Sequence, residues 1–231
     1  LRNAQLYNRA QKEIAERIQG EGRILEALGE KEVLLKEVHH RVKNNLQVIS
    51  SLLNLQAAQI SDPITIDALR ESQNRIRSMA LIHEKLYQSS DLMKVDFAGY
   101  LGSLVNSLAQ TYRKKTAQIS VKVEAEKIDL NIDTAIPCGL IVNELVSNSL
   151  KYAYPDDTPG VIAVRCGRRG NDHYYLEVRD QGVGLPAGLD IDESPSLGLK
   201  LVDGLVRQID GEMAISGGRG TCFDITWPCD R

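Results

Sequence analysis

Residues 1 to about 60 hold no proline, and their apolar side chains recur at alternating steps of four and three, a spacing that suits one face of a helix. Counted from Ile14, the heptad repeat takes in Ile18, Leu25, Leu28, Leu35, Val42, Leu46, Ile49, Leu53 and Ile60, with Glu21, Glu32, His39 and Gln56 as polar exceptions. One long helix, or two nearly continuous ones, is the expectation. Gly20, Gly22 and Gly29 each weaken a helix by about 1 kcal/mol relative to Ala, so the connection can bend or shift register there. The helix is expected to stop near Ser61, because Ser61-Asp62-Pro63 offers an N-cap and then a proline in the first turn of a new helix. Ile66, Leu69, Ile76, Met79, Ile82 and Leu86 line one face of that second helix. A hairpin of two helices this apolar calls for a second copy, completing four helices.

From about residue 96 the pattern becomes an α/β mixture. Helices are predicted over 97–112, 133–152 and 197–209, and strands over 119–124, 161–166, 174–179, 212–216 and 221–227. A Gly/Pro-rich stretch, 181–197, separates the third strand from the last helix. With 231 residues the chain is long enough for two units. A net charge of −3 with 26% charged residues implies no basic face for nucleic acid. Cys138, Cys166, Cys222 and Cys229 form no CxxC pair and indicate neither a metal site nor a disulfide framework, so reduced thiols in the cytoplasm are expected. No apolar run approaches the roughly 18 to 20 residues that span a bilayer. The chain opens on Leu1, within a helical pattern, so an upstream sensor is expected to be missing from it.

Chemistry concentrates in a few short segments. In the first helix, Glu37-Val38-His39-His40-Arg41-Val42-Lys43-Asn44-Asn45-Leu46 sets His39 on the apolar stripe and His40 beside it on the rim, within reach of an incoming phosphoryl group. A neutral imidazole is a competent nucleophile near neutral pH, and a carboxylate can polarise its other nitrogen. Glu37, three residues before His40, is the candidate for that, while Arg41 and Lys43 can offset charge on the phosphoryl group. In Asn143-Glu144-Leu145-Val146-Ser147-Asn148-Ser149-Leu150-Lys151-Tyr152, Glu144 and Asn148 share one side of a helix and Lys151 follows one turn on. The Asn148 amide suits a hard cation such as magnesium, Glu144 can orient water or the nucleophile, and Lys151 can meet a phosphate. Asp180-Gln181-Gly182-Val183-Gly184 places a strand-end carboxylate, able to accept from an exocyclic amine, beside glycines that admit a ligand to the backbone. Ser196-Leu197-Gly198-Leu199-Lys200-Leu201-Val202 opens a helix whose N-terminus can face phosphates. Gly217-Gly218-Arg219-Gly220-Thr221 is a glycine turn before the final strand. Taken singly, these are more often solvated surface, helix face or hairpin. Their order is what carries the signal.

That order resembles the sensor histidine kinases of two-component systems. His39 to Gln47 is similar to the phosphoacceptor motif of the subfamily carrying "HHRVKNNLQ", akin to the HWE kinases. Residues 143–152 resemble the N box of the GHKL ATPases, 180–184 the first glycine-rich box and 196–202 the second. The resemblance covers residues 33–228. It implies an α plus α/β chain, with a helical-hairpin dimerisation domain that makes a four-helix bundle as a dimer, followed by a two-layer α/β sandwich that binds ATP. The implied division is a signalling helix over 1–30, a dimerisation and phosphotransfer domain over 31–92 and a GHKL-type domain over 93–231. It further implies ATP and magnesium (Mg2+) as cofactors, a response regulator receiver domain as phosphoryl recipient, and a homodimer, although the subfamily includes monomers. Carried over residue by residue, His40 is the phosphoacceptor, with His39 as the other choice, Glu144 the catalytic acid residue and Asn148 the magnesium ligand. Lys151 and Tyr152 lie near phosphates and nucleotide, Asp180 binds adenine, and Gly182, Gly184, Gly198, Leu199 and Thr221 complete the nucleotide site and its lid. The short interval between the glycine-rich boxes holds no phenylalanine, so the F box of longer kinases is missing. A GHKL-type serine kinase and a nucleotide-binding scaffold without catalysis are the alternative functions.

Overall fold

A computed structural model describes residues 2–88, 94–112, 118–155, 158–185 and 197–229. The proline-free segment forms one helix, α1 (Arg2–Ala57), which runs unbroken through Gly20, Gly22 and Gly29. It ends before Ser61, and Asp62 caps the next helix, α2 (Pro63–Gln88), by accepting a 2.9 Å bond from the Thr65 amide. Pro63 thus takes the first helical position, where a missing N–H costs nothing. The two helices pack as a hairpin. Of the apolar stripe, Val42, Leu46, Leu53 and Ile60 are part-covered, whereas Leu28, Leu35 and Ile49 are exposed.

His39 is the polar member of that stripe nearest the motif and is buried at 9% exposure. Its Nδ1 lies 3.0 Å from Nδ1 of His83 on α2. A bond between these atoms needs one ring to hold a proton on Nδ1 and the other to lack it. Burial lowers both imidazoles from their ordinary value, and the nearby His39 charge lowers His83 further.

The remaining chain builds a two-layer α/β sandwich. Its sheet runs β2-β4-β5-β7-β6, from β2 (Ile119–Ala125), β4 (Gly160–Arg169), β5 (His173–Asp180), β6 (Glu212–Gly218) and β7 (Gly220–Pro228). Only β2 and β4 pair in parallel. Helices α3 (Phe97–Tyr112), α4 (Ile132–Asn148) and α5 (Leu197–Gln208) cover one face, and Leu101, Leu104, Ile141, Leu145, Ile162, Leu176, Ile225 and Trp227 fill the core between layers. On the other face Arg165 bridges Glu124 at 2.8 Å and Glu177 at 3.2 Å across three strands. At Gly139 a side chain would strike the Tyr100 ring, so glycine lets α4 approach α3 closely.

Two features differ from the sequence expectation. A two-stranded sheet of β1 (Lys94–Asp96) and β3 (Asp129–Asn131) went unread, because three-residue strands show no alternation. The helix expected over 133–152 stops as an α-helix at Asn148 and continues as a wider π-turn, Ser149–Ala153. The cause is tertiary: the Ala153 carbonyl accepts from Val183 N at 2.9 Å, tying the turn to the segment after β5. Of the Gly/Pro-rich stretch, residues 186–196 lie outside the described residues.

The histidine pair makes hairpin stability depend on pH. Folded imidazoles with lowered affinity bind fewer protons than the unfolded chain, so their contribution is complete above about pH 6.5 and is lost as pH falls below it. The thermal midpoint should therefore drop between about pH 7.5 and 5.5, and His83→Gln should flatten that dependence, as followed by circular dichroism.

Candidate active site

His40 stands exposed on α1 beside the buried His39. The Asn44 amide nitrogen lies 3.4 Å from its Nδ1, one helical turn on. Glu37, expected to polarise this ring, accepts from Arg41 at 2.7 Å, one helical turn on. Lys43 bonds Glu84 of α2 at 3.1 Å, so its ammonium is shared across the hairpin.

The α4 segment faces α2. Glu144 is buried at 6% exposure, and both of its oxygens accept from Arg75, at 2.7 Å from Nε and 2.7 Å from Nη2. The Glu144 carboxylate holds that guanidinium more firmly in its charged form. Asn143 adds a 3.1 Å bond from Nδ2 to Glu144 Oε1. One π-turn further on, Lys151 pairs with Glu71 of α2. The charges cross: α2 offers an acid and a base four residues apart, and the α4 segment answers with a base and an acid. Between them remains a cavity of about 10 Å³ lined by Glu71, Asn74, Tyr112, Asn143, Glu144, Ser147, Asn148 and Lys151, room for about one water. The Ser147 hydroxyl is buried there without a hydrogen-bond partner among the described residues.

Around the corner of the same turn sits Asp180, at the end of β5 and 6% exposed. Its Oδ1 accepts from the backbone amides of Gly182 at 3.0 Å and Thr221 at 3.1 Å, and its Oδ2 from the Ser149 hydroxyl at 3.0 Å. A side chain at Gly182 would strike the Ala153 carbonyl, and one at Gly220, where φ is 90°, would strike the Asp180 carbonyl. Glycine is therefore required at both walls. The Tyr154 hydroxyl, which accepts from Gln181 N at 2.9 Å, fixes the chain leaving β5.

The structure thus brings Glu144, Asn148 and Lys151 to one small cavity, and it gathers Gly182, Thr221 and Ser149 as donors around the Asp180 carboxylate. Gly184 takes a positive φ of 79° next to the β6–β7 turn. Gly198 and Leu199 open α5, the Leu199 side chain buried in the core. Tyr152 is 66% exposed and does not line the cavity around Glu144. Sequence reasoning missed Arg75, Glu71, His83 and Ser149. Only for Arg75 and Glu71 was there a signal, an oppositely charged pair four apart on a helix, and it does not say what the pair meets.

Comparison with known proteins agrees with this arrangement. Residues 37–112 match the family model described as Histidine kinase, and residues 133–231 match that described as Histidine kinase-, DNA gyrase B-, and HSP90-like ATPase. The sensor histidine kinase PdtaS of Mycobacterium tuberculosis is 33% identical over 205 residues, covering 86% of this chain and 40% of that protein. Blue-light-activated histidine kinase 2 of Erythrobacter litoralis is 28% identical over 203 residues, covering 85% of this chain and 57% of that protein. The solved histidine kinase domain of an Erythrobacter litoralis blue-light activated histidine kinase superposes with a TM-score of 0.64 at 26% identity, covering 84% of this chain and 90% of that one. The hairpin and sandwich, with both families matched in this order, make the chain a member of the histidine kinases, its helical domain joined to an ATPase domain of the kind shared with DNA gyrase B and HSP90.

Proposed function

We propose that this chain is the catalytic core of a sensor histidine kinase, which binds ATP with magnesium, moves the γ-phosphoryl group onto His40 and passes it to an aspartate of a response regulator. The observation that carries this reading is the seating of the histidine-bearing hairpin directly on the Glu144 face of α4. The residues fit the nucleotide. Asp180 is a buried acceptor for an amine, the orphaned Ser147 hydroxyl lies where phosphates or their water would come, and the Asn148 amide oxygen is a donor that hard cations prefer.

Magnesium, when bound at Asn148, would offset negative charge on the phosphates. The protein's own part is positional. Asp180 holds the base, Lys151 and Tyr152 flank the phosphates, and the glycines at 182, 184 and 198, with Leu199 and Thr221, shape the walls. His40 supplies a ring nitrogen as nucleophile, and Glu144 orients it or takes its proton. Release from Arg75 would free Glu144 for that task, and release from Glu71 would free more of the Lys151 ammonium for a phosphate. Residues 1–30 serve as signalling helix, 31–92 as dimerisation and phosphotransfer domain and 93–231 as ATP-binding domain. The exposed Leu28, Ile49, Leu52 and Leu55 supply an apolar face for a second copy, which supports a homodimer with a four-helix bundle. Free, mostly buried thiols support a cytoplasmic setting.

Incubation with γ-labelled ATP and magnesium tests the reading. Acid-labile, base-stable label on the chain supports it. Acid-stable label appearing only on an added partner points to a serine kinase, and no label points to a scaffold. His40→Gln should abolish the label and leave nucleotide binding nearly intact. If His39→Gln abolishes it and His40→Gln does not, the acceptor is His39.

The joint makes its own forecast. Arg75→Met should release Glu144 and raise the labelling rate severalfold. Because one buried partner is left unpaired, at a cost of about 3 kcal/mol, the same change should lower the thermal midpoint by several degrees. An unchanged rate would show that the pair does not oppose transfer.

A further inference from the structure

We propose that Ser149 is a positioning residue for base recognition, holding Asp180 so that one acceptor site on its carboxylate faces an exocyclic amine. The inference rests on the reading of Asp180 as the adenine-binding group. An ionised carboxylate has about four lone-pair sites. Gly182 N and Thr221 N take two on Oδ1, and the Ser149 hydroxyl takes one on Oδ2, which leaves a single site on Oδ2. These donors come from three different elements: the segment after β5, the start of β7 and the π-turn. The carboxylate cannot rotate without breaking bonds to all of them, so the remaining lone pair has a fixed direction.

That direction selects chemistry. An amine donates into it, whereas a ring carbonyl in the same place sets lone pair against lone pair. Ser149 is 7% exposed, and its bond is charge-assisted, so it belongs to the stronger class of hydrogen bond. A serine late in a helix commonly turns its hydroxyl back to the carbonyl four residues earlier. Ser149 instead reaches an acid 31 positions later in the chain, at the point where α4 widens into the π-turn. Of the three donors only Ser149 acts through its side chain, so only here can a substitution remove the bond cleanly.

The test measures binding of ATP and of purine riboside triphosphate, which lacks the amine, to wild type, Ser149→Ala, Asp180→Asn and the double variant. Ser149→Ala should weaken ATP about tenfold, the equivalent of one charge-assisted bond, and change the amine-free nucleotide less than about twofold. In labelling assays it should raise KM for ATP and leave the rate at saturation in place, and in the Asp180→Asn background it should cost nothing further. Equal weakening of both nucleotides would mean general damage to the pocket and would overturn the proposal, as would undiminished ATP binding by Ser149→Ala. If Asp180→Asn binds ATP as tightly as wild type, the adenine reading itself fails and the proposal with it.

Discussion

The ion pair between Arg75 and Glu144 joins the two halves of the molecule. Removing a carboxylate from water is costly unless its charge and lone pairs are answered, and here a planar guanidinium answers both oxygens at once. The Lys151–Glu71 pair sits one turn along the same seam and fixes its direction, because the crossed charges match in one register only. Ser78, whose hydroxyl lies 3.2 Å from Asn143 Oδ1, and Tyr100, which donates to the Ser78 carbonyl at 3.3 Å, extend the joint into the core. The groups proposed above for phosphoryl chemistry thus also hold the hairpin to the sandwich.

The second organising centre is Asp180. Three elements converge on its carboxylate, and each arrives there because something local permits it. Gly182 and Gly220 clear space against backbone carbonyls, and the π-turn brings Ser149 alongside. Among the described residues this buried acid is held by hydrogen-bond donors, with no cation in contact, and it keeps capacity for one more donor.

Much of this was legible in the residues. The heptad stripe, the Asp62-Pro63 helix start and the strand alternation each report a local periodicity, and local periodicity survives without tertiary context. The separation of His39 from His40 followed from the same repeat. The missing parts are those set by contacts distant in sequence. Arg75 and Glu144 are 69 residues apart, His39 and His83 are 44 apart, and no pattern within either segment names its partner. The π-turn was hidden because Ser149–Ala153 has ordinary helix-forming composition, and its widening answers a bond from Val183. The bond from Arg41 to Glu37 is local, and i, i+4 spacing on a helix allows for it.

The continuity of α1 has a mechanical meaning. A helix of 56 residues extends roughly 84 Å, and its hydrogen-bonded backbone conducts torsion from one end to the other. Adjacent residues on such a rod differ in azimuth by about 100°. A twist of that size applied near its beginning, if not absorbed at the three glycines, would carry one imidazole inward and swing its neighbour out. Phase, rather than distance, would then be the quantity that an input delivers to His39 and His40.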